Sequence, residues 1–313
     1  MRARERDMNV WQRWVRKPQG IWLRRALFQI HLWTGLAVGL YMLMISVTGS
    51  ALVFRAGLNA LLKPAAVVAV SGQMMSEAEL RAAVEKQFAN SRFKVMTIKM
   101  PGRPDRAAEI SVARGRVRQV RLIDPYSGKD IGDASEEIPF MVSMVDLHDN
   151  LLGGDTGRKL NGYGGICLAL LCLTGMVIWW PGSGSWRRGL VVKRGTSWKR
   201  FNFDLHSMIG FWTFALLFMW AVTSIYFAFP EPFQAVVDYL DPPELRNPPG
   251  PGTGDLALEW FGRIHFGRRL GSTQTWYPYF GWLWVVLGLA PSVLLVSGVI
   301  MWWQRVIRKR KLT

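Results

Sequence analysis

Long apolar stretches alternate with polar, mostly basic ones along the chain, and the apolar stretches are too long to be ordinary core helices. Residues 26–54 (ALFQIHLWTGLAVGLYMLMISVTGSALVF) contain no Lys, Arg, Asp or Glu, and similar runs follow at 160–181, 205–230 and 276–303. A helix rises about 1.5 Å per residue and needs about 20 apolar residues to cross the hydrocarbon core. Each run meets that length, so each predicts a transmembrane helix. Trp179, Trp180, Trp276, Tyr277, Tyr279, Trp302 and Trp303 gather at run ends, where amphipathic rings favour the membrane interface. The first run is also far longer than the 7 to 15 residues of a signal-peptide core and reads as an uncleaved span.

The polar segments predict the rest of the organisation: a basic N-terminus over 1–25, a soluble domain over 55–143, an interfacial segment over 144–159, a basic loop over 182–204, a second loop over 231–275 and a basic tail over 304–313. In the soluble domain, Ser76 followed by Glu79 reads as a capping box that opens a helix through ELRAAVEKQFANS. Two β-like stretches follow at 94–100 and 108–123, the second broken by Gly115 as in a hairpin, and Asp124-Pro125-Tyr126-Ser127-Gly128 reads as a tight turn. A small α+β domain is expected. It has no His, no Cys and no acidic cluster with metal-ligand spacing, which suits a structural or docking role.

Composition sharpens this picture. The chain has 313 residues, is 50% hydrophobic and carries a formal net charge of +17. That charge alone would suggest a nucleic-acid partner, but soluble basic domains rarely carry so much apolar mass or 16 Trp. Two cysteines, Cys167 and Cys172 inside an apolar run, exclude a disulfide scaffold and read as small apolar filler. The charge is not spread evenly. The N-terminus, the 182–204 loop and the tail together hold 19 basic and three acidic residues, whereas the segments after the first and third spans are nearly balanced. The positive-inside rule therefore predicts cytoplasmic termini and an outside soluble domain.

The four histidines, His31, His148, His206 and His265, then fall into two layers. His31 and His206 stand near the cytoplasmic starts of spans one and three, and His148 and His265 stand outside, before spans two and four. A neutral imidazole near lipid is costly unless bonded or liganded, and two imidazoles from facing helices make an axial pair for a haem iron. Gly35 and Gly39 lie four and eight residues after His31, and Gly210 lies four after His206. These put Cβ-free patches on the histidine face, for a flat macrocycle or for helix packing. Arg24 and Arg25, below His31, suit propionates or lipid headgroups. Arg158, Lys159, Arg263, Arg268 and Arg269, around the outer pair, suit propionates, an anionic substrate or a solvated rim.

An internal repeat supports the pairing. Seventeen residues separate His31 from Thr48 and His206 from Thr223, and TGMVIWW at 174–180 parallels SGVIMWW at 297–303. A parallel repeat implies an approximate two-fold axis along the membrane normal, which brings His31 towards His206 and His148 towards His265. No Cys-x-x-Cys-His occurs, so a non-covalent b-type haem is expected at each level. No dinucleotide fingerprint occurs in a strand–turn–helix context either, so a separate electron donor is required.

HLWTG and VTGSALVF in the first span, RLIDPYSGKDIG in the soluble domain, LHDNLLGGDTGRKLNGYGG before LTGMVIWWP, DLHSMIGFW and IHFGRRLG occur in this order. In order and spacing, the chain resembles the PepSY-associated transmembrane-helix family of bacterial inner-membrane proteins. That resemblance covers nearly the whole chain and implies an all-α four-helix transmembrane core with a small periplasmic PepSY-like α+β domain. Some relatives resemble di-haem reductases that take iron from ferric siderophores. On that pattern His31 and His206 would be the inner haem-iron ligands, and His148 and His265 the outer ones. The expected function is transmembrane electron transfer from a cytoplasmic or quinol donor to a periplasmic ferric chelate. The rival expectation is a non-enzymatic, membrane-anchored regulator or partner-binding protein. The soluble segment has room for one PepSY-like unit where longer relatives carry more.

Overall fold

The computed structural model describes residues 9–16, 18–62, 66–91, 93–114, 117–134, 137–242, 250–267 and 281–310. It divides into two units, one of residues 1–55 and 143–313 and one of residues 56–142.

The larger unit is a multi-pass helical membrane region. After a short basic helix α1 (Val10–Arg16), the first apolar run forms two helices, α2 (Trp22–Ala37) and α3 (Gly39–Leu52), bent by 64° at Val38. The bend has no proline. Gly39 opens the second helix, and the side chain of Leu295 packs where a side chain on Gly39 would stand, 2.4 Å from its Cβ position. The equivalent stretch of the second repeat, around Thr213, lies in the unbroken helix α8. The first apolar run is thus a bent helix pair, where the uninterrupted run predicts a single helix.

A short helix α4 (Arg55–Leu62) leads out of the first span, and α6 (Pro139–Asn150) leads back towards the second. The second span is α7 (Gly154–Trp179), which starts six residues before its apolar run so that Arg158 and Lys159 are helical. The third is α8 (Trp198–Ala228). Two helices that the polar 231–275 segment does not advertise follow, α9 (Pro230–Leu240) and α10 (Thr253–His265). The fourth span combines α11 (Gly281–Gly288) and α12 (Ala290–Arg310), and Gly281–Val306 meets the length and apolarity of a crossing. Pro291, which has no N–H to donate, sits at their junction. Ser46 Oγ donates there to the Gly288 carbonyl (2.6 Å), and Ser292 Oγ donates to Ser46 Oγ (2.8 Å).

Packing follows the repeat. α2 lies against α7, and its counterpart α8 lies against α12. The second half of each first helix crosses to the other repeat, so α3 meets α11 and α12 while α8 meets α7. Large apolar side chains such as Leu40, Trp212 and Val286 stay exposed along the spans, as side chains facing lipid do.

In the smaller unit, α5 (Glu77–Phe88) covers a four-stranded antiparallel meander of β1 (Lys94–Lys99), β2 (Ala108–Arg114), β3 (Val117–Ile123) and β4 (Asp130–Asp133). The capping box forms as its residues dictate: Glu79 N donates to Ser76 Oγ, and Ser76 N donates to Glu79 Oε2. β2 alternates as a half-buried strand must, with Ala108, Ile110 and Val112 inward. These close a core with Leu80, Val84 and Ile123. Full burial of each such side chain is worth about 1.5–3 kcal/mol, enough for a unit with its own core. The Asn59 carboxamide accepts from Ile138 N at 2.9 Å, joining the entry and exit of the unit.

Candidate functional site

Of the two histidine pairs that depth and repeat predict, the inner one stands in ring contact. His31 on α2 and His206 on α8 face each other with ring centres 6.4 Å apart and planes at 84°. They stand in a cavity of about 850 Å³ whose walls include Gly35, Gly39 and Gly210. A Cβ on Gly35 would meet only Leu171 and one on Gly210 only Leu294, both at 3.7 Å, so the two repeats make the same wall twice. Gly35 and Gly210 thus border open space beside the histidines, while the Leu295 side chain fills the place beside Gly39.

His148 on α6 and His265 at the end of α10 form the second level. Burial and, to a lesser extent, the neighbouring His148 lower the pKa of His265 to about 3. Burial also lowers that of His148, opposed by a bond to the backbone of Ile45 and by Asp149. Both rings are therefore neutral at ordinary pH. Phe227 packs edge-on to His265 at 5.1 Å. Asn161 Nδ2 donates to the carbonyls of His148 (2.8 Å) and Asp149 (2.9 Å), while Tyr41 OH donates to Asn161 Oδ1.

Each imidazole also meets one hydroxyl. His31 Nδ1 lies 3.0 Å from Thr174 Oγ1, His206 Nδ1 2.8 Å from Ser297 Oγ, His148 Nδ1 3.1 Å from Thr48 Oγ1 and His265 Nδ1 2.6 Å from Thr223 Oγ1. The sequence repeat holds all four hydroxyls in register, but Thr and Ser in apolar helices ordinarily satisfy themselves on their own backbone, which hides any second role.

The basic residues divide differently. Arg24 lines the first cavity, donates to the Ile178 carbonyl, and keeps a buried Nε without a partner. Arg25 lines the same cavity and reaches the Gly20 carbonyl at 3.4 Å. Arg188, Arg200 and Arg305 also line it. They come from the 182–204 loop, the start of α8 and the end of α12, so no local pattern joins them. At the second level, Arg158 pairs with Asp149 at 2.6 Å and Arg263 pairs with Glu259, so both are engaged with acids. Arg268 and Arg269 lie outside the described residues. Among the described residues, no group of three or more His, Cys, Asp or Glu could hold a metal ion.

In the smaller unit two carboxyls are shifted by local hydrogen bonds. Hydrogen bonds within the capping box lower the Glu79 carboxyl. Burial raises that of Asp124, but bonds from Ser127 and from the Tyr126 backbone outweigh it and leave the carboxyl lowered.

Comparison with known proteins agrees with this architecture. A family model described as the PepSY-associated TM region matches residues 28–252 and 243–305. The chain is also 29% identical over 154 residues to an uncharacterized protein of Pseudomonas aeruginosa. That match covers 46% of this chain and 37% of the relative, so the chain spans well under two thirds of the relative's length.

Proposed function

The chain belongs to the family of the PepSY-associated TM region, and on that premise we propose that it carries electrons across a bilayer through two b-type haems. His31 and His206 would hold one, and His148 and His265 the other.

The observation that carries this reading is the separation of the His31 and His206 rings. The rings stand 6.4 Å apart in one cavity, so each would be able to offer an imidazole nitrogen to a metal held between them. Two imidazoles per level are too few for a bare cation, which wants three or four protein ligands. They suit an iron whose equatorial positions a macrocycle already fills. Gly35 and Gly210 leave room beside the rings, and Arg24, with its unpartnered Nε, lines the same cavity as Arg25 and Arg305 and offers positive charge to carboxylates.

When bound, bis-imidazole haem supplies a one-electron carrier. The protein's residues would hold each pair of imidazoles, with aromatic and aliphatic side chains such as Phe211 and Leu294 walling the His31/His206 cavity. With cytoplasmic termini, the His31/His206 level faces a cytoplasmic or quinol donor, and the His148/His265 level faces a periplasmic ferric chelate such as a siderophore. One electron takes ferric iron to ferrous, which hard oxygen ligands hold less strongly. Arg158 and Arg263 would exchange their acidic partners for an anionic chelate.

The test is a reduced-minus-oxidised spectrum of the protein purified in mild detergent, with haem quantified per chain. Two low-spin b-type haems are expected, and His31→Ala or His206→Ala should each leave one. No haem after expression with ample supply would refute the proposal. A second reading, a membrane-anchored regulator or partner-binding protein, draws support from the separately cored 56–142 unit. Under it the same spectrum would be blank.

A further inference from the structure

We infer that Thr48, Thr174, Thr223 and Ser297 are positioning residues: each holds its histidine with Nδ1 protonated and Nε2 bare, the form able to bind a metal. The inference deepens the haem reading and rests on it for its purpose, though not for its geometry.

The argument is a count of hydrogens. A hydroxyl has one hydrogen to donate and lone pairs to accept. Thr174 Oγ1 lies 2.6 Å from the Leu170 carbonyl, Ser297 Oγ 2.7 Å from that of Val293, Thr48 Oγ1 2.8 Å from that of Met44 and Thr223 Oγ1 3.0 Å from that of Met219. A carbonyl can only accept, so each hydroxyl hydrogen is committed to its own helix. The oxygen is then an acceptor towards the imidazole, and the contacting Nδ1 must be the donor. In a neutral ring one nitrogen donates and the other is bare, so Nε2 carries the free lone pair.

The arrangement recurs four times at positions that the repeat relates in twos, on both levels. Thr213 supplies the contrast: its Oγ1 donates to Ile209 at 2.7 Å in the same helix, with no histidine contact among its hydrogen bonds. Backbone satisfaction alone therefore does not require an imidazole neighbour.

The protonated Nδ1 also gives these contacts a second effect. Donation from the far nitrogen makes a ligating imidazole a stronger donor to its metal, and loss of such a partner costs roughly 10- to 100-fold in metal affinity.

The test uses the full chain in detergent with 15N-labelled histidine. In haem-free wild type, the nitrogen shifts should show protonated Nδ1 and bare Nε2 for all four rings. Thr174→Val should change this for His31 alone, and Ser297→Ala for His206 alone. In haem-loaded protein either change should weaken binding at that level 10- to 100-fold and raise the midpoint potential there, because a poorer donor stabilises ferric iron less. Thr174→Ser and Ser297→Thr should restore both readouts, and Thr213→Val should move neither. Protonated Nε2 in haem-free wild type would overturn the inference, as would a Thr174→Val protein with unchanged shifts and potential. The expected shifts in a protein that takes up no haem would leave the tautomers established and refute the haem reading instead.

Discussion

Gly49 lies against the ring of His148 so closely that a Cβ there would stand 2.6 Å from Cε1 and 3.3 Å from Nδ1. The neighbouring residue, Thr48, holds the same ring by its hydroxyl. One helical step thus supplies both the anchor and the space for the imidazole, and a methyl group in that space forces the ring off its partner. Gly49→Ala is expected to lower haem content from two per chain to one, with the His31/His206 spectrum retained. Gly57→Ala, where nothing lies within 4 Å of the new Cβ, is the matched control and should keep both. Full haem content in Gly49→Ala would show that this contact does not set the position of His148.

The charge partition predicts an orientation that labelling can read directly. In a Cys167→Ala, Cys172→Ala background, Gly102→Cys and Gly184→Cys place single thiols at exposed positions with no neighbour within 4 Å of the Cβ. An impermeant maleimide applied to cells with a permeable outer membrane should label position 102. Position 184 should react only after the inner membrane is opened. The reverse pattern would invert the proposed donor and acceptor sides.

Much of this architecture was legible because membranes demand long apolar runs and sheets demand alternation. The second and third spans, the Ser76 capping box and the turn at Asp124 all follow from local chemistry. The bend at Val38 was not legible: the side chain packed against Gly39 there is Leu295, more than two hundred residues away. Strand β4, four residues of DIGD, has no apolar alternation to announce it. It is recruited by pairing with β3. Helices α9 and α10 lie in a segment whose balanced charge and prolines read as loop. At the site, the four histidines stood out because an imidazole near lipid is rare. The hydroxyls did not, although Thr48 and Thr223 mark the repeat, because a back-bonded Thr looks the same with or without a ring beside it.

The turn at Asp124 gives the smaller unit a pH dependence whose sign is fixed. Ser127 Oγ and Tyr126 N both donate to the Asp124 carboxylate, and the carboxyl is lowered in the folded chain despite some burial. A carboxyl lowered on folding stabilises the fold above its unfolded value, and that contribution is lost as pH falls through the folded value. Hydrogen-exchange protection around the β3–β4 turn, corrected for intrinsic rates, should therefore decline below about pH 4. Asp124→Asn should start with lower protection and lack that step. An identical decline in the variant would assign the effect to other carboxyls.

The junction between α6 and α7 carries backbone strain that two substitutions of opposite sign can expose. Leu151 and Leu152 adopt φ of 53° and 59°, the left-handed region, which costs an L-residue with a Cβ about 1–2 kcal/mol. Three residues connect the helix that bears His148 to the helix that bears Asn161. At this tight junction the Asn150 carbonyl comes against α7, where a Cβ on Gly157 would stand 1.7 Å from its oxygen. That neighbour is backbone and cannot turn aside as a side chain could. Gly157→Ala should therefore open the turn, break the bonds from Asn161 to the His148 and Asp149 carbonyls, and release the haem of that level while lowering the melting temperature. Leu152→Gly relieves the left-handed strain without touching the crossing. Its side chain is 63% exposed, so little packing is lost, and the variant should keep both haems and melt no lower than wild type. Thermal unfolding followed by the haem Soret band reads both effects in one experiment. A Gly157→Ala protein that melts like wild type with two haems would mean that the close approach of Asn150 is not what positions His148.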